Sequence, residues 1–297
     1  MKMVVASGKG GVGKSMLASS LAILFAKDGK KIIACDADVD APNLAVWLGG
    51  VSDWDKSKKI TTLEKPVIDK QKCIGCGKCV QNCQFNALRI ENKKAKLNYF
   101  FCEGCGVCQI VCPQKAIKLV PVKNAQILIK NKTKHGFPLI SAQLFPGESG
   151  SGKIVAEVKK EAEKFQYDTM IIDSAPGTGC PVNAAMLDAN FAVLVTEPTP
   201  SGISDLYRVL EVVNHFKIPY QIVINKWDIN RSLSKKIEKE FEGKLLSKIS
   251  YDQKIFKAIS TLTPLMKTNL KAKREITKIY LRLVSIFKQT LLRREEK

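Results

Sequence analysis

The chain has 297 residues, an apolar fraction of 45% and a formal net charge of +20. That length allows two domains, or one large domain with an insertion, and the apolar content suffices for a sizeable core. No apolar run approaches the ~20 residues of a membrane-spanning helix. The opening MKMVVASGKG lacks an apolar segment ending in a small-residue cleavage site, so a cytoplasmic protein is expected. The charge excess is mostly lysine and is heaviest after Lys226. Arginine, the residue of bidentate phosphate recognition, is scarce, so no specific nucleic-acid partner is expected. A solvated lysine-rich face is the plain reading; steering of an acidic redox partner, an anionic membrane or nucleic acid is the alternative.

Met3–Ser7 (MVVAS) reads as a strand, KGGVGKS as a glycine loop and MLASSLAILFAKDG as a helix ending at Gly29. SGKGGVGKS spells the full phosphate-binding pattern G-x-x-x-x-G-K-[ST] in the strand, loop, helix context that the pattern requires. The loop comprises Gly8, Lys9, Gly10, Gly11, Val12, Gly13, Lys14 and Ser15. Its glycines let backbone N–H groups turn toward phosphate oxygens, and the helix N-terminus adds partial positive charge. Lys14 is expected to reach the β- and γ-phosphates and Ser15 to ligate Mg²⁺. KIIAC then reads as a buried strand with Asp36 and Asp38 at its end, where an open parallel sheet places ligands. These two carboxylates are expected to organise Mg²⁺ and the attacking water.

Eight of the ten cysteines lie between Cys73 and Cys112, in a spacing that points to metal rather than disulfides. DKQKCIGCGKCVQNCQFNALRI and YFFCEGCGVCQIVCPQKAIKLV repeat one pattern, C-x2-C-x2-C-x3-C. Its cysteines are Cys73, Cys76, Cys79 and Cys83, then Cys102, Cys105, Cys108 and Cys112. Zinc sites use shorter pairs across a long gap, whereas soft thiolates at this spacing select 4Fe-4S clusters, here two. Pro113 follows the second run and Gln84 the first; Ala87 and Ala116 are small enough to pack against the clusters. The expected division is an inserted domain at 61–121 within a nucleotide domain formed by 1–60 and 122–297.

Further along, PGESGSGKIV imitates the phosphate pattern through Gly147, Gly152 and Lys153, but Ile154 stands where Ser or Thr would hold Mg²⁺. It reads as a glycine-rich turn entering the helix GKIVAEVKKEAEKF, and as a moving contact between cluster and nucleotide domains. YDTMIIDSAPGTG ends a strand in Asp173, placed to hold Mg²⁺ through water, while Gly177 and Gly179 allow a γ-phosphate-sensitive loop. Cys180 follows, either as a buried thiol at a helix start or as a reactive one. FAVLVT is a strand and ISDLYRVLEVVNHF a helix. YQIVINKWD ends in Asn225-Lys226-Trp227-Asp228, which looks like the guanine-reading N-K-x-D of GTPases. LLSKISYD is the last strand. The closing helix REITKIYLRLVSIFKQTLLRREEK carries a stripe of Ile276, Ile279, Tyr280, Leu283 and Phe287, expected to pack on the sheet rather than on a membrane.

KGGVGKS, the pattern D-x-D-x-x-x-x-N-L met by Asp36, Asp38, Asn43 and Leu44, and the Asp173 loop together resemble the MinD, Mrp and nitrogenase-iron-protein superfamily. That loop departs from the family's D-x-P-P-G-T-G only by Ala175. The resemblance implies an α/β fold, a parallel-sheet P-loop NTPase with a deviant Walker A motif. It also implies a nucleotide-closed dimer in which Lys9 reaches the partner's nucleotide, so that Lys9, Lys14 and Asp38 are catalytic. Such relatives are ATPases with the asparagine near adenine, which favours ATP at Asn225; Asp228 leaves GTP open. The cysteine runs resemble a bacterial-type two-cluster ferredoxin, an α+β domain in which the fourth cysteine of each run serves the other cluster. That implies ligand sets Cys73, Cys76, Cys79, Cys112 and Cys83, Cys102, Cys105, Cys108. The C-x-x-C of Mrp-type carriers is missing after Cys180. The expected function is a dimeric ATPase, a homodimer or a heterodimer with a paralogue, that couples ATP hydrolysis to electron transfer toward a redox partner. ATP-dependent cluster or metallocofactor assembly, with a cluster-acceptor partner, is the second reading and MinD-like positioning the third.

Overall fold

A computed structural model describes residues 1–295; the last two residues of the expected closing helix lie outside it. In chain order the elements begin β1 (Lys2–Ala6), α1 (Lys14–Lys27), β2 (Ile32–Ala37), α2 (Leu44–Trp47) and β3 (Lys56–Ile68). The cysteine segment follows with α3 (Lys78–Gln81), β4 (Leu88–Glu91), β5 (Lys94–Leu97) and α4 (Val107–Ile110). Then come β6 (Ile117–Lys130), β7 (Leu139–Leu144), α5 (Ser151–Ala162), β8 (Thr169–Ser174), α6 (Cys180–Met186) and β9 (Phe191–Thr196). The remainder is α7 (Pro200–His215), β10 (Tyr220–Asn225), α8 (Arg231–Glu240), β11 (Leu245–Ile249), α9 (Lys254–Ser260) and α10 (Lys271–Glu295).

One nine-stranded sheet runs in the order β11-β10-β9-β1-β8-β2-β7-β6-β3. Pairings from β11 to β7 are parallel; β6 joins β7, and β3 joins β6, antiparallel. The parallel strands are apolar on both faces, as strands sandwiched between helices must be. Val4, Ile33 and Cys35 pack on one side with α5, α6 and α7. Met3, Val5 and Ala34 pack on the other with α1 and α10. All three acidic residues expected at strand ends, Asp36, Asp38 and Asp173, fall at the C-terminal ends of β2 and β8, flanking the loop after β1.

The stripe on α10 is spent on this packing. Ile276, Ile279, Tyr280 and Leu283 are buried, and the Tyr280 hydroxyl donates to Asp28 Oδ2 at 2.7 Å. Among the described residues no helix is long and apolar enough to cross a membrane.

The cysteine segment is tied in by a long ribbon. β3 and β6 pair from Lys56 opposite Ile129 to Ile68 opposite Ile117, so the strands pass straight through positions 60 and 122. The register breaks between Ile60 and Leu63, where Thr62 and Asn124 have no ladder partner. Asn124 fills the break: its Oδ1 accepts from the Thr62 N–H at 2.9 Å and its Nδ2 donates to Thr62 Oγ1 at 2.8 Å. Irregularities of this kind bend a ribbon without cutting it.

Candidate functional site

The loop after β1 is shaped by two close approaches. A Cβ on Gly8 would lie 1.9 Å from the Asp205 carbonyl oxygen, so only glycine fits there. Gly13 enters α1 at φ +100°, and its α-carbon faces the Asn225 amide, whose Nδ2 donates to the Val12 carbonyl at 2.7 Å. A cavity of about 420 Å³ opens above this loop. Gly10, Gly11, Gly13, Lys14, Ser15, Asp38 and Asn225 all line it. Gly8, Lys9 and Val12 shape the loop from outside the cavity, and Asp36 and Asp173 lie fully buried beneath it.

Burial sets the electrostatics. Both Asp173 oxygens are buried without a hydrogen-bond partner. Burial pushes Asp173 up to about 7; the Ser15 hydroxyl, close by although outside hydrogen-bond geometry, and the Lys14 charge pull the other way. Burial also raises Asp36, aided by the Asp173 charge, although its oxygens accept from the N–H groups of Leu44 at 2.9 Å and Asp38 at 3.2 Å. Asp38 is raised by burial against the pull of Lys14. Lys14 itself is lowered by burial, while Asp173, Asp38 and Asp36 hold its proton. An orphaned carboxylate beside a buried lysine and a serine is a donor set that fits Mg²⁺ with a polyphosphate.

Sequence reasoning missed Glu197. Its Oε1 lies 2.5 Å from Lys9 Nζ and its Oε2 lies 3.0 Å from Lys226 Nζ. Burial pushes this carboxyl up, but the two lysines hold it below the usual carboxylate range. Lys9 also donates to Ser201 Oγ at 3.2 Å, so within one chain it is turned to the start of α7. The signal available in the sequence was a lone acid at the end of β9.

One expectation needs correcting. Asp228, expected at the base, does not line the cavity; its Oδ1 accepts from the Tyr251 N–H at 2.8 Å and so fixes the loop after β11. That loop brings Tyr251 and Asp252 to the cavity instead. Of the two readings left open for Cys180 the buried one does not hold: the residue is exposed, where the loop after β8 enters α6. Cys35 is wholly buried within β2, and burial raises its thiol far above the usual range.

The eight remaining cysteines divide between two small cavities. Cys73, Cys76, Cys79 and Cys112 line one; Cys83, Cys102, Cys105 and Cys108 line the other. The two runs use the same backbone devices: Gly75 and Gly77, then Gly104 and Gly106, all have positive φ, as do Asn86 and Lys115 ahead of the two alanines. Left-handed conformations at these points turn the chain sharply enough to aim consecutive sulfurs inward. The Ala87 and Ala116 N–H groups donate to Cys83 and Cys112 Sγ at 3.3 Å, and Ala95 donates to Cys73 Sγ at 3.4 Å. Burial raises the Cys79 thiol, pushes Cys108 up to about 11, and raises Cys102, where the Lys65 charge acts the other way. Among the described residues no three Cys, His, Asp or Glu side chains close on a single metal ion. Four soft donors around a space, rather than at a point, fit a cubane cluster better than a lone ion.

Comparison with known proteins identifies the larger part of the chain. The sequence pattern of the CobQ/CobB/MinD/ParA nucleotide binding domain matches residues 3–265. An uncharacterized protein of Methanocaldococcus jannaschii, MJ0578, is 37% identical over 284 residues, covering 95% of this chain and 96% of that one. A second from the same organism, MJ0579, is 33% identical over 255 residues, covering 86% and 87%. The cysteine segment is similar to the pyruvate synthase subunit PorD of Methanothermobacter marburgensis, 42% identical over 55 residues, which is 18% of this chain and 64% of that one. In fold the chain is similar to MinD in the MinC:MinD cell division complex of Aquifex aeolicus, with a TM-score of 0.59 at 20% identity, covering 96% and 95% of the two chains. These matches fix the parallel-sheet architecture, and the protein belongs to the CobQ/CobB/MinD/ParA family of nucleotide-binding proteins.

Proposed function

We propose that this protein is a dimeric ATPase that couples ATP binding and hydrolysis to electron transfer through two 4Fe-4S clusters to a partner protein. The observation that carries the reading is the presence, in one chain, of a phosphate cradle over an orphaned buried carboxylate and of two cavities with four cysteines each. Residues 61–121 form the cluster domain, and 1–60 with 122–297 the ATPase domain, hinged at the register break of the β3–β6 ribbon. Cysteine-segment similarity to a pyruvate synthase subunit supports redox work.

Lys14 neutralises the β- and γ-phosphates. Ser15, Asp36 and Asp173 would hold Mg²⁺, Asp173 through water. Asp38, on the cavity wall, positions the attacking water. Lys9 leaves Glu197 to reach the partner's nucleotide as the dimer closes, the partner being a second copy or a paralogue. Asn225 lies beside adenine, and the commitment of Asp228 to Tyr251 removes the carboxylate that would read guanine, which supports ATP. Bound clusters supply one-electron storage and transfer. The chain's part is to hold them with Cys73, Cys76, Cys79 and Cys112, and with Cys83, Cys102, Cys105 and Cys108, under N–H···S bonds that favour the charged thiolates. A cytoplasmic location follows from this reading.

The test is to reduce the protein with dithionite, remove the excess, and follow electron delivery to a low-potential ferredoxin. Delivery should be faster with ATP than with a non-hydrolysable analogue; identical rates overturn the coupling. A second reading, ATP-dependent cluster assembly, is favoured by the exposed Cys180 beside the Gly177–Gly179 loop. If no cluster moves to an apo-acceptor while both stay bound, that reading fails.

A further inference from the structure

Lys65, on β3, is only 2% exposed and is among the largest buried side chains of the described residues. A buried lysine is costly unless its charge is met. Its ammonium has three neighbours: Glu148 Oε2 at 2.9 Å, an ion pair without hydrogen-bond geometry, the Tyr99 carbonyl at 3.2 Å, and the face of the Tyr99 ring at 3.7 Å. These partners come from different parts of the chain. Tyr99 belongs to the second cysteine cage, since the same carbonyl accepts the Cys102 N–H at 3.3 Å. Glu148 belongs to the loop between β7 and α5, on the nucleotide side of the register break. Its other oxygen accepts from the Tyr99 hydroxyl at 2.7 Å.

The loop is fastened at both ends. Beside Glu148, a Cβ on Gly147 would lie 2.5 Å from the Phe100 ring, and the Ser149 carbonyl accepts from Asn124 Nδ2 at 2.9 Å. At its far end Gly152 abuts Cys180, whose Cβ and carbonyl oxygen would each lie 3.0 Å from an added Cβ. Lys159 on α5 donates to the Ala184 carbonyl at 2.9 Å, which ties α5 to α6. Thus one tight run of contacts leads from the loop after Asp173 to the carboxylate that faces Lys65. The first cage has no matching arrangement: Lys94 Nζ meets the Cys73 carbonyl at 2.5 Å, but that lysine is half-exposed and screened by water.

We propose that Lys65 and Glu148 are a charge control on the second cage, operated from the nucleotide side. This rests on the reading that the cages hold clusters. Reduction adds one negative charge to a cluster, and a buried cation beside it stabilises that charge strongly in a low-dielectric interior. Lys65 therefore raises the reduction potential of the cluster bound by Cys83, Cys102, Cys105 and Cys108. Glu148 cancels the effect while it stays paired. Nucleotide binding moves the Gly177–Gly179 loop, which bears on Gly152 through Cys180, and the shift of Glu148 resets that potential alone. The two clusters are thereby inequivalent, and only one answers to nucleotide.

The experiment is an anaerobic potentiometric titration, followed by electron paramagnetic resonance, on the full-length reconstituted protein. Dithionite with redox mediators supplies the electrons. Wild type is compared with Glu148→Gln, Lys65→Met and the double variant, each with and without a non-hydrolysable ATP analogue. Iron and sulfide are counted first. A protein that takes up no clusters overturns both the functional reading and this inference; clusters that bind but titrate unchanged overturn this inference alone. Glu148→Gln should favour reduction of one cluster at least tenfold, about 59 mV for a one-electron couple, and leave the other in place. Lys65→Met should shift the same cluster the opposite way, and the double variant should return it toward wild type. The analogue should shift that cluster in wild type and not in Glu148→Gln. Equal shifts of both clusters, no shift in Glu148→Gln, or an analogue effect that survives Glu148→Gln would each overturn the proposal. If Lys65→Met fails to assemble, Glu148→Gln alone decides.

Discussion

Around the phosphate cradle, hydrocarbon packs both faces of the central sheet, and Lys14, Asp36 and Asp173 are charges held inside a body with a large apolar core of its own. In the cysteine lobe the packed apolar cluster is Cys73, Cys79, Leu88, Ala95, Ala116 and Ile117, with Ala87 and Leu63 buried outside it and Ile74, Phe100 and Ile110 left facing water. So small an apolar set cannot offset the chain entropy of the segment. The nucleotide site is thus built on a core, whereas on the proposed reading the cysteine site gains its own from the clusters the sulfurs would hold.

Removing that filling should have the largest effect. Chelation of iron should cost the lobe on the order of 10 kcal/mol, as with other small metal-organised modules, and Cys112→Ala a fraction of that. Hydrogen exchange should then show the Ala95 amide and the β4–β5 hairpin exchanging freely, with β1 and β8 still protected. Uniform loss across the sheet would erase the distinction between the regions. Lys14→Met attacks the other side: ATP hydrolysis, read as phosphate release, should fall roughly 10²–10³-fold with iron content unchanged. Smaller again is Gly8→Ala, whose methyl meets the Asp205 carbonyl; denaturant unfolding should show a loss of about 1–3 kcal/mol. Gly10→Ala, with nothing nearer than Pro176 at 4.0 Å, should show none of that loss.

The mildest effect is one of pH. Burial holds Asp173 near 7 in the nucleotide-free protein, above the ~3.9 of an unfolded aspartate. Its proton therefore stabilises the fold at low pH, and that contribution is lost as pH rises from about 4 to about 7. Mg²⁺ needs the bare carboxylate, so calorimetric affinity for Mg²⁺ with nucleotide should climb up to about pH 7 and level off above it. A profile flat through that range would remove Asp173 from the metal site.

Local pattern made part of this readable from sequence. Strand, glycine loop and helix around Lys14 lie within a few residues of one another, and each acid that ends β2 or β8 stands directly on its own apolar strand. Distant pairings left no such trace. An inward lysine in an alternating strand carries no periodic signal, so the meeting of Lys65 with Glu148 was invisible, as was the capture of Lys9 by Glu197. The motif after β10 misled about Asp228, because four residues cannot show that a loop beyond β11 will claim its carboxylate. A boundary drawn between 60 and 61 falls at the register break of the β3–β6 ribbon, and composition does not show that both strands continue past it.

If nucleotide state acts on the clusters, cluster state must act equally on nucleotide, because coupling between two binding equilibria is reciprocal. The decisive measurement is the affinity of one non-hydrolysable ATP analogue for the fully oxidised and the dithionite-reduced protein under anaerobic conditions. The account predicts different dissociation constants in wild type and equal ones in Glu148→Gln. Equal constants in the oxidised and reduced wild-type protein would contradict it.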